Sequence, residues 1–439
     1  MRGIYDCVVI GGGAAGMMAA ITAARNGVQV LIIEHTKRLG SKILQTGNGK
    51  CNFTNLNMSE DMFQNDDRQF VKNVLAQYNE HHVIEFFKEL GIYAKERNGY
   101  MYPHSETAAS LQDALRLELE RLNVDIATES SVLNIEKKDI FKLKLETCVE
   151  IEDDGRKIIK SDKSKGKTGI ANIKRVTNTL KAQTIILATG SKAAPKSGSD
   201  GSGYDLAKAM GHKLKKVLPA LVQLTSDFKH CKSMAGVRST GSIKLYVDDK
   251  LVAEDIGEIQ YTDYGISGIP VFQISRYAVA AVDASKKASV VIDMLPDMDM
   301  ELLYQDIERR IANDSGKTVE QFFAGIINKK LVYAAAKTAG IDINALVGKV
   351  GAKGLKKLAE CMKNFEMNIN GFNGFDNAQV CQGGVKLENI DSNTMESKLC
   401  SGLYFAGEIV DVDGKCGGYN LQWAWSSGYV AGRSAAQQK

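Results

Sequence analysis

Three glycines, Gly11, Gly13 and Gly16, stand in the spacing G-x-G-x-x-G, and a carboxylate, Glu34, follows the last of them by 18 residues. Residues of these types at these distances hold an adenine dinucleotide, mainly by backbone. The first glycine allows a tight turn, the second leaves no side chain between the chain and a pyrophosphate, and the third lets a helix pack closely on a strand. Amides at the start of the following helix, at Ala14 and Ala15, are unpaired donors at the positive end of a dipole, where an anion binds. Glu34 can accept both hydroxyls of an adenosine ribose, which argues against a 2′-phosphate there.

Each of these residues needs an element to hold it. Residues 4–10 read as an apolar strand, 14–25 as a helix and 28–33 as a second strand ending at Glu34. The apolar run is not a membrane span, because three consecutive glycines break it and Thr22 and Arg25 interrupt it. It also lacks the basic region and cleavage site of a signal peptide.

The next 21 residues, 35–55, are too glycine-rich and polar for a regular element and too long for a mere connection. His35, Gly40, Ser41, Lys42, Thr46, Gly47, Asn48, Gly49, Cys51 and Asn52 all fall here. The glycines let amides turn inward, while Lys42, Thr46, Asn48 and Asn52 offer donors for phosphate, ribitol hydroxyls or an isoalloxazine edge. A long irregular segment directly after the ribose acid suits a ligand longer than adenosine, and points to FAD more than NAD.

The totals bound the rest. A chain of 439 residues, 25% charged and 44% hydrophobic, has room for two or three domains of an ordinary soluble protein. The net charge of +4 implies no polyanionic partner. Between Lys137 and Lys181, however, 13 Lys or Arg face 7 Asp or Glu. Without interleaved aromatics this run reads as a solvated hairpin or surface insertion, and no nucleic-acid partner is expected. Eight cysteines without any C-x-x-C exclude a redox dithiol and the usual zinc spacing, so no metal is expected, and with no export signal they suggest a reduced, cytoplasmic setting.

Further along, residues 67–91 read as helices, Tyr100 to His104 as an aromatic turn, and 108–122 as a helix. Strands follow at 124–127 and 132–135. Residues 184–190 read as a buried parallel strand ending in Thr189 and Gly190; the ending resembles the A-T-G segment that returns to the dinucleotide site in many flavoproteins, the alternative being any buried strand. Period-two alternation with close turn signals suggests a small antiparallel β-barrel at about 213–295, followed by helices at about 296–365. The last segment holds Gly407, Glu408 and Gly418, then a closing helix whose first amides, at Asn420 and Leu421, face whatever precedes them. The fold expected is α/β: a Rossmann-like FAD-binding domain of residues 1–195 and 366–439, carrying residues 196–365 as an insert.

Two blocks are specific. G-S-K-x-x-x-T-G-N-G-K-C-N at residues 40–52 and G-E-x-x-D-x-x-G-x-x-G-G-Y-N-L at 407–421 resemble the YhiN/BaiN-like flavoprotein family, whose members include aminoacetone oxidases and a 3-dehydro-bile acid reductase. The resemblance implies FAD as cofactor and a backbone contact from Val132 to the adenine. It also implies that the start of the closing helix lies on the N1/O2 side of the flavin. The chain departs from its relatives at Lys50, where Arg is common, at Asp263, where His is frequent, and at Cys381, where Thr is frequent.

A flavin without redox cysteines or a visible nicotinamide domain leaves hydride transfer at N5 as the expected chemistry. The leading expectation is a reductase that uses NAD(P)H as transient reductant and acts on an electron-poor C=C of a small molecule, such as a steroid or bile-acid enone. The alternatives are a flavin-dependent amine oxidase acting on aminoacetone and, from another class, an FAD-bearing RNA-binding or redox-sensor module. Tyr102, His104, Tyr264 and Tyr419 are candidate proton donors, but spacing does not bring any of them to N5, so no catalytic residue is assigned. Oligomeric state has no signature in the sequence.

Overall fold

The computed structural model describes residues 3–151 and 172–438, which form two compact units: Met1–Val217 with Val380–Lys439, and Leu218–Gln379. Residues 152–171, the middle of the basic run, lie outside the described residues.

The first unit is built on a parallel sheet whose strands run, edge to edge, Asp125–Ala127, Val30–Ile33, Ile4–Ile10, Asn172–Leu187 and Leu403–Phe405. Val8, Val9, Leu31, Ile32, Ile185 and Ile186 have no exposed surface, as expected of strands covered on both faces. The strand Asn172–Leu187 serves two ladders. Its end, from Lys181, pairs in parallel with Ile4–Ile10, and its first part pairs antiparallel with Phe141–Ile151, which in turn pairs with Ser130–Lys137. The helix Ala14–Arg25 and the closing helix Tyr419–Gln437 pack together tightly: a Cβ at Gly428 would lie 2.5 Å from the Ala15 carbonyl oxygen. Chain start and chain end are therefore joined through helix backbone.

The second unit is an antiparallel sheet with four helices between its strands Ala288–Asp293 and Phe365–Asn368: Met300–Ile311, Val319–Phe323, Lys329–Ala339 and Val347–Lys363. Its strand order runs from Phe365–Asn368 through Ala288–Asp293, Arg238–Val247, Lys250–Tyr261, Gly265–Gly268 and Leu224–Thr225 to Gly371–Phe372. The strand at each end pairs on one side among the described residues. Because 365–372 contribute both end strands, this unit extends to Gln379, past the boundary read from the sequence at 365. Residues 196–217 belong instead to the first unit, where a Cβ at Gly203 would collide with Thr189.

Two local readings need correction. The stretch after Gly268, read as alternating strand, is the 15-residue helix Ile269–Asp283. Pro270 sits in its first turn, and Val271, Ile274, Ala278 and Val279 are buried at helical spacing. The expected aromatic turn at Tyr100 is the strand Tyr100–Pro103, paired with Ala94–Arg97 and Thr54–Asn55. No helix among the described residues is long and apolar enough to cross a membrane.

Candidate functional site

The glycine turn has the geometry its spacing demands. Gly11 has φ +102 and donates its N–H to the Ile33 carbonyl at 2.8 Å. Gly16 packs on that turn, since a Cβ there would lie 1.9 Å from the Gly11 carbonyl oxygen. Gly13 differs from both: no atom comes within 4 Å of where its Cβ would be, and no side chain caps the helix Ala14–Arg25 that begins after it. The start of this helix thus has open space beside Gly13 and no side-chain cap.

Glu34 is 7% exposed. Its Oε2 accepts the Gly12 N–H at 2.7 Å and its Oε1 accepts the Thr36 N–H at 2.8 Å, with His35 Nδ1 3.4 Å from Oε1. The carboxylate therefore braces the glycine turn and still has lone pairs to offer. Ser130 N–H bonds the Glu34 carbonyl at 3.0 Å, which sets the strand carrying Val132 beside the acid. Val132 itself sits at a register shift in its pairing with Phe141–Ile151.

Loop 35–55 folds back on the glycine turn, the Gly40 N–H reaching the Gly12 carbonyl at 2.8 Å. Ser41 and Thr46 spend their hydroxyls on the loop's own carbonyls of Arg38 and Ile43. Gly47 and Asn48 take consecutive left-handed conformations, Gly49 has φ +83, and Cys51 is left-handed with φ +56. Burial pushes the Cys51 thiol up to about 12, so what this residue brings to the loop is backbone shape, not a reactive sulfur.

The far end of the chain meets this loop. A Cβ at Gly418 would lie 2.7 Å from the Thr54 carbonyl oxygen and 2.9 Å from Asn52 Oδ1. Asn52 is buried, and that Oδ1 finds no hydrogen-bond partner among the described residues. The closing helix starts here with Gly418 as its cap residue and no side-chain cap. Asn420 turns its side chain back to the Gly414 N–H and carbonyl, both at 2.8 Å, while Leu421 packs on the core, so both offer backbone amides. Lys42 Nζ lies 2.6 Å from Glu408 Oε2, which also accepts the Ser191 hydroxyl at 3.2 Å. Gly407 donates its N–H to Ser427 at 2.9 Å and accepts from Trp423 at 3.1 Å. The Thr189 hydroxyl beside Gly190 is buried without a partner among the described residues.

The candidate proton donors separate. Tyr419 is buried and donates its hydroxyl to the Asn57 carbonyl at 3.2 Å, which makes it a structural residue. His104 is exposed, and Tyr264 belongs to the second unit. Tyr102 lies against the loop, 3.7 Å from the position of a Gly47 Cβ, and burial raises its pKa. Sequence reasoning missed Gln422, which has no exposed surface and accepts the Thr54 hydroxyl at 2.5 Å. A polar residue within the apolar face of the closing helix was the available signal.

The sequence matches the family described as "HI0933-like protein Rossmann domain" across residues 5–434. The chain belongs to this family. It is 40% identical over 432 residues, 98% of each protein, to the 3-dehydro-bile acid delta(4,6)-reductase of Clostridium scindens. It is 29% identical over 435 residues, again 98% of each, to the ribosomal RNA dihydrouridine synthase of Haemophilus influenzae. Among solved structures it is similar to the 3-ketosteroid delta1-dehydrogenase of Sterolibacterium denitrificans in complex with 1,4-androstadiene-3,17-dione, with a TM-score of 0.50 and 11% identity, covering 100% of both chains. At that identity the likeness speaks for the fold alone. The Rossmann-like α/β reading is thus correct for this HI0933-like chain.

Proposed function

We propose that this chain is an FAD-dependent reductase of a small molecule carrying a C=C conjugated to a carbonyl, with NAD(P)H as reductant. The observation that carries the reading is the pair of uncapped helix starts, at Gly13 and Gly418, with the unpartnered Asn52 Oδ1 beside the second. A helix start with open space fits a pyrophosphate, and an orphaned buried acceptor beside a second start fits a donor edge of a flavin. The similarity to the bile-acid reductase supports the class of bond reduced.

On this reading the amides of Gly13, Ala14 and Ala15 hold the pyrophosphate, Glu34 the ribose, and the backbone at Val132 the adenine. The loop Thr46 to Asn52, with Lys42 and Glu408 beneath it, holds the ribityl and ring portion. When bound, FAD supplies a hydride at N5. The dipole at the start of Tyr419–Gln437 stabilises negative charge on the ring side it faces. Tyr102, a phenol whose pKa burial raises further above neutrality, is the donor for the carbon next to the carbonyl. Eight free thiols suit a reducing compartment.

A second substrate reading has its own support. The relative from Haemophilus influenzae is named for making dihydrouridine, which is uridine with its ring C=C saturated, again a bond conjugated to a carbonyl. One experiment tests both. The purified protein is mixed anaerobically with NADH or NADPH, and then with a 3-oxo-4-ene steroid acid or with ribosomal RNA. Flavin bleached by the nicotinamide and restored by the steroid supports the proposal. Restoration by RNA alone moves the substrate to uracil, and bleaching by aminoacetone but by neither nicotinamide makes the protein an oxidase.

A further inference from the structure

The hairpin of Ala94–Arg97 and Tyr100–Pro103 sets Lys95 opposite Tyr102 and Arg97 opposite Tyr100. Residues directly opposite in an antiparallel pair share a face, so two cations and two tyrosines stand together while Met101 and Pro103 are buried on the other side. The tyrosine face meets both glycine loops of the site. A ring carbon of Tyr102 lies 3.7 Å from the position of a Gly47 Cβ, and one of Tyr100 lies 2.9 Å from that of a Gly417 Cβ.

Lys50, from the loop, turns to the same place. Its Nζ is 3.2 Å from Glu106 Oε2, the Lys95 Nζ is 2.6 Å from Glu106 Oε1, and Arg97 pairs with that same Oε1. The Arg97 guanidinium also lies over the Tyr102 ring, 6.0 Å from its centroid. Hydrogen bonds from Lys95 and Lys50 hold the Glu106 carboxyl at about 2, so this acid stays charged. Three cations nevertheless share this one carboxylate, and each is half-exposed. A purely structural ion-pair network has no need of that excess. A binding surface does, because the spare positive charge is kept for an incoming anion.

We infer that Lys50, Lys95 and Arg97 form an oxyanion subsite at the rim of the cofactor loop, which docks the carboxylate or phosphate of a molecule that reacts there, while Tyr100 and Tyr102 line its apolar body. The inference rests on the reading of the chain as an FAD-dependent reductase and adds the class of substrate: amphipathic, with a flat apolar part and one anionic group.

The test uses the holoprotein and its Lys95→Gln/Arg97→Gln double variant. The probes are 3-oxochol-4-en-24-oic acid, its methyl ester, and the saturated 5β-cholan-24-oic acid, which offers the anion but no bond to reduce. The variant should raise KM for the acid by about tenfold or more, leaving kcat within about twofold and FAD content intact, with the ester's KM little changed. Arg97→Lys should recover most of the loss. If acid and ester are both unaffected, but bleaching by NADPH slows about tenfold while bleaching by NADH does not, the subsite stands and its anion is the 2′-phosphate of the dinucleotide. Equal effects on acid and ester, or no effect in any arm, overturn the inference. Should the native protein reduce neither enone, the reductase reading fails by itself. The subsite is then decided by titrating flavin absorbance with the saturated acid: a dissociation constant weakened about tenfold in the variant sustains it, and an unchanged one removes it.

Discussion

Lys42 Nζ and Glu408 Oε2 lie 2.6 Å apart although 366 positions separate them in the chain. The pair ties the loop after the ribose acid to the turn before the closing helix, and Ser191 adds a bond from the segment that follows the strand Asn172–Leu187. Both side chains are mostly buried, at 26% and 18% exposure, so the attraction is less screened than at a surface, and either partner left alone is a poorly solvated charge. A double-mutant cycle of Lys42→Met and Glu408→Gln should give a coupling energy of about 1–2 kcal/mol, larger than the usual surface pair. Strictly additive losses would show that the two charges act independently.

Gly13→Val and Gly16→Val should fail in opposite ways. At Gly13 the backbone has φ −76 and open space around the Cβ position, so valine folds but fills the place assigned to the pyrophosphate. FAD affinity should drop by about 100-fold or more, with the melting temperature of the apoprotein held within about 2 °C. At Gly16 the Cβ would collide with the Gly11 carbonyl oxygen, and apoprotein stability should fall by about 3 kcal/mol or more. Calorimetry of both apoproteins and a flavin titration separate the two cases.

Glu34 has two tasks, and substitution should reveal both. Glu34→Ala removes the acceptor for two backbone amides, those of Gly12 and Thr36, so apoprotein stability should fall by about 1–3 kcal/mol in addition to the loss of flavin. A variant that loses flavin with no change in apoprotein stability would mean that the two amides find other partners.

The acid limb of stability should depend on His212. This imidazole is buried, its Nε2 is 2.7 Å from the Ser397 hydroxyl, and its ring packs on Phe405. Burial lowers its pKa in the folded protein. Below about pH 6.5 the unfolded chain takes up a proton that the folded chain refuses, so stability is intact above that value and is lost as pH falls towards the lower folded-state value. The urea midpoint of the native protein should fall more steeply between about pH 7 and 5 than that of His212→Gln. Equal slopes would show that other groups set the acid limit.

Short-range patterns made the dinucleotide turn readable. Gly11, Gly13, Gly16 and Glu34 lie within one strand, one turn, one helix and the next strand, so spacing alone sets their geometry. Sequence pattern failed at Ile269–Asp283, where an apolar stretch after glycine fits strand and helix alike until packing chooses. It failed again at Tyr100–Pro103, whose strand exists through its partners Ala94–Arg97 and Thr54–Asn55.

By itself the chain's sequence determined a nucleotide-binding start, an α/β class and two family-specific blocks, because each depends on residues close together in the chain, where covalent geometry dictates distance. Tertiary structure alone decided that Lys42 would meet Glu408, that Asn52 Oδ1 would be left without a partner beside Gly418, and that Lys50, Lys95 and Arg97 would converge on Glu106. Contacts of that kind join residues from 9 to 366 positions apart. They are set by how sheet and helices pack, not by the spacing of the residues that make them.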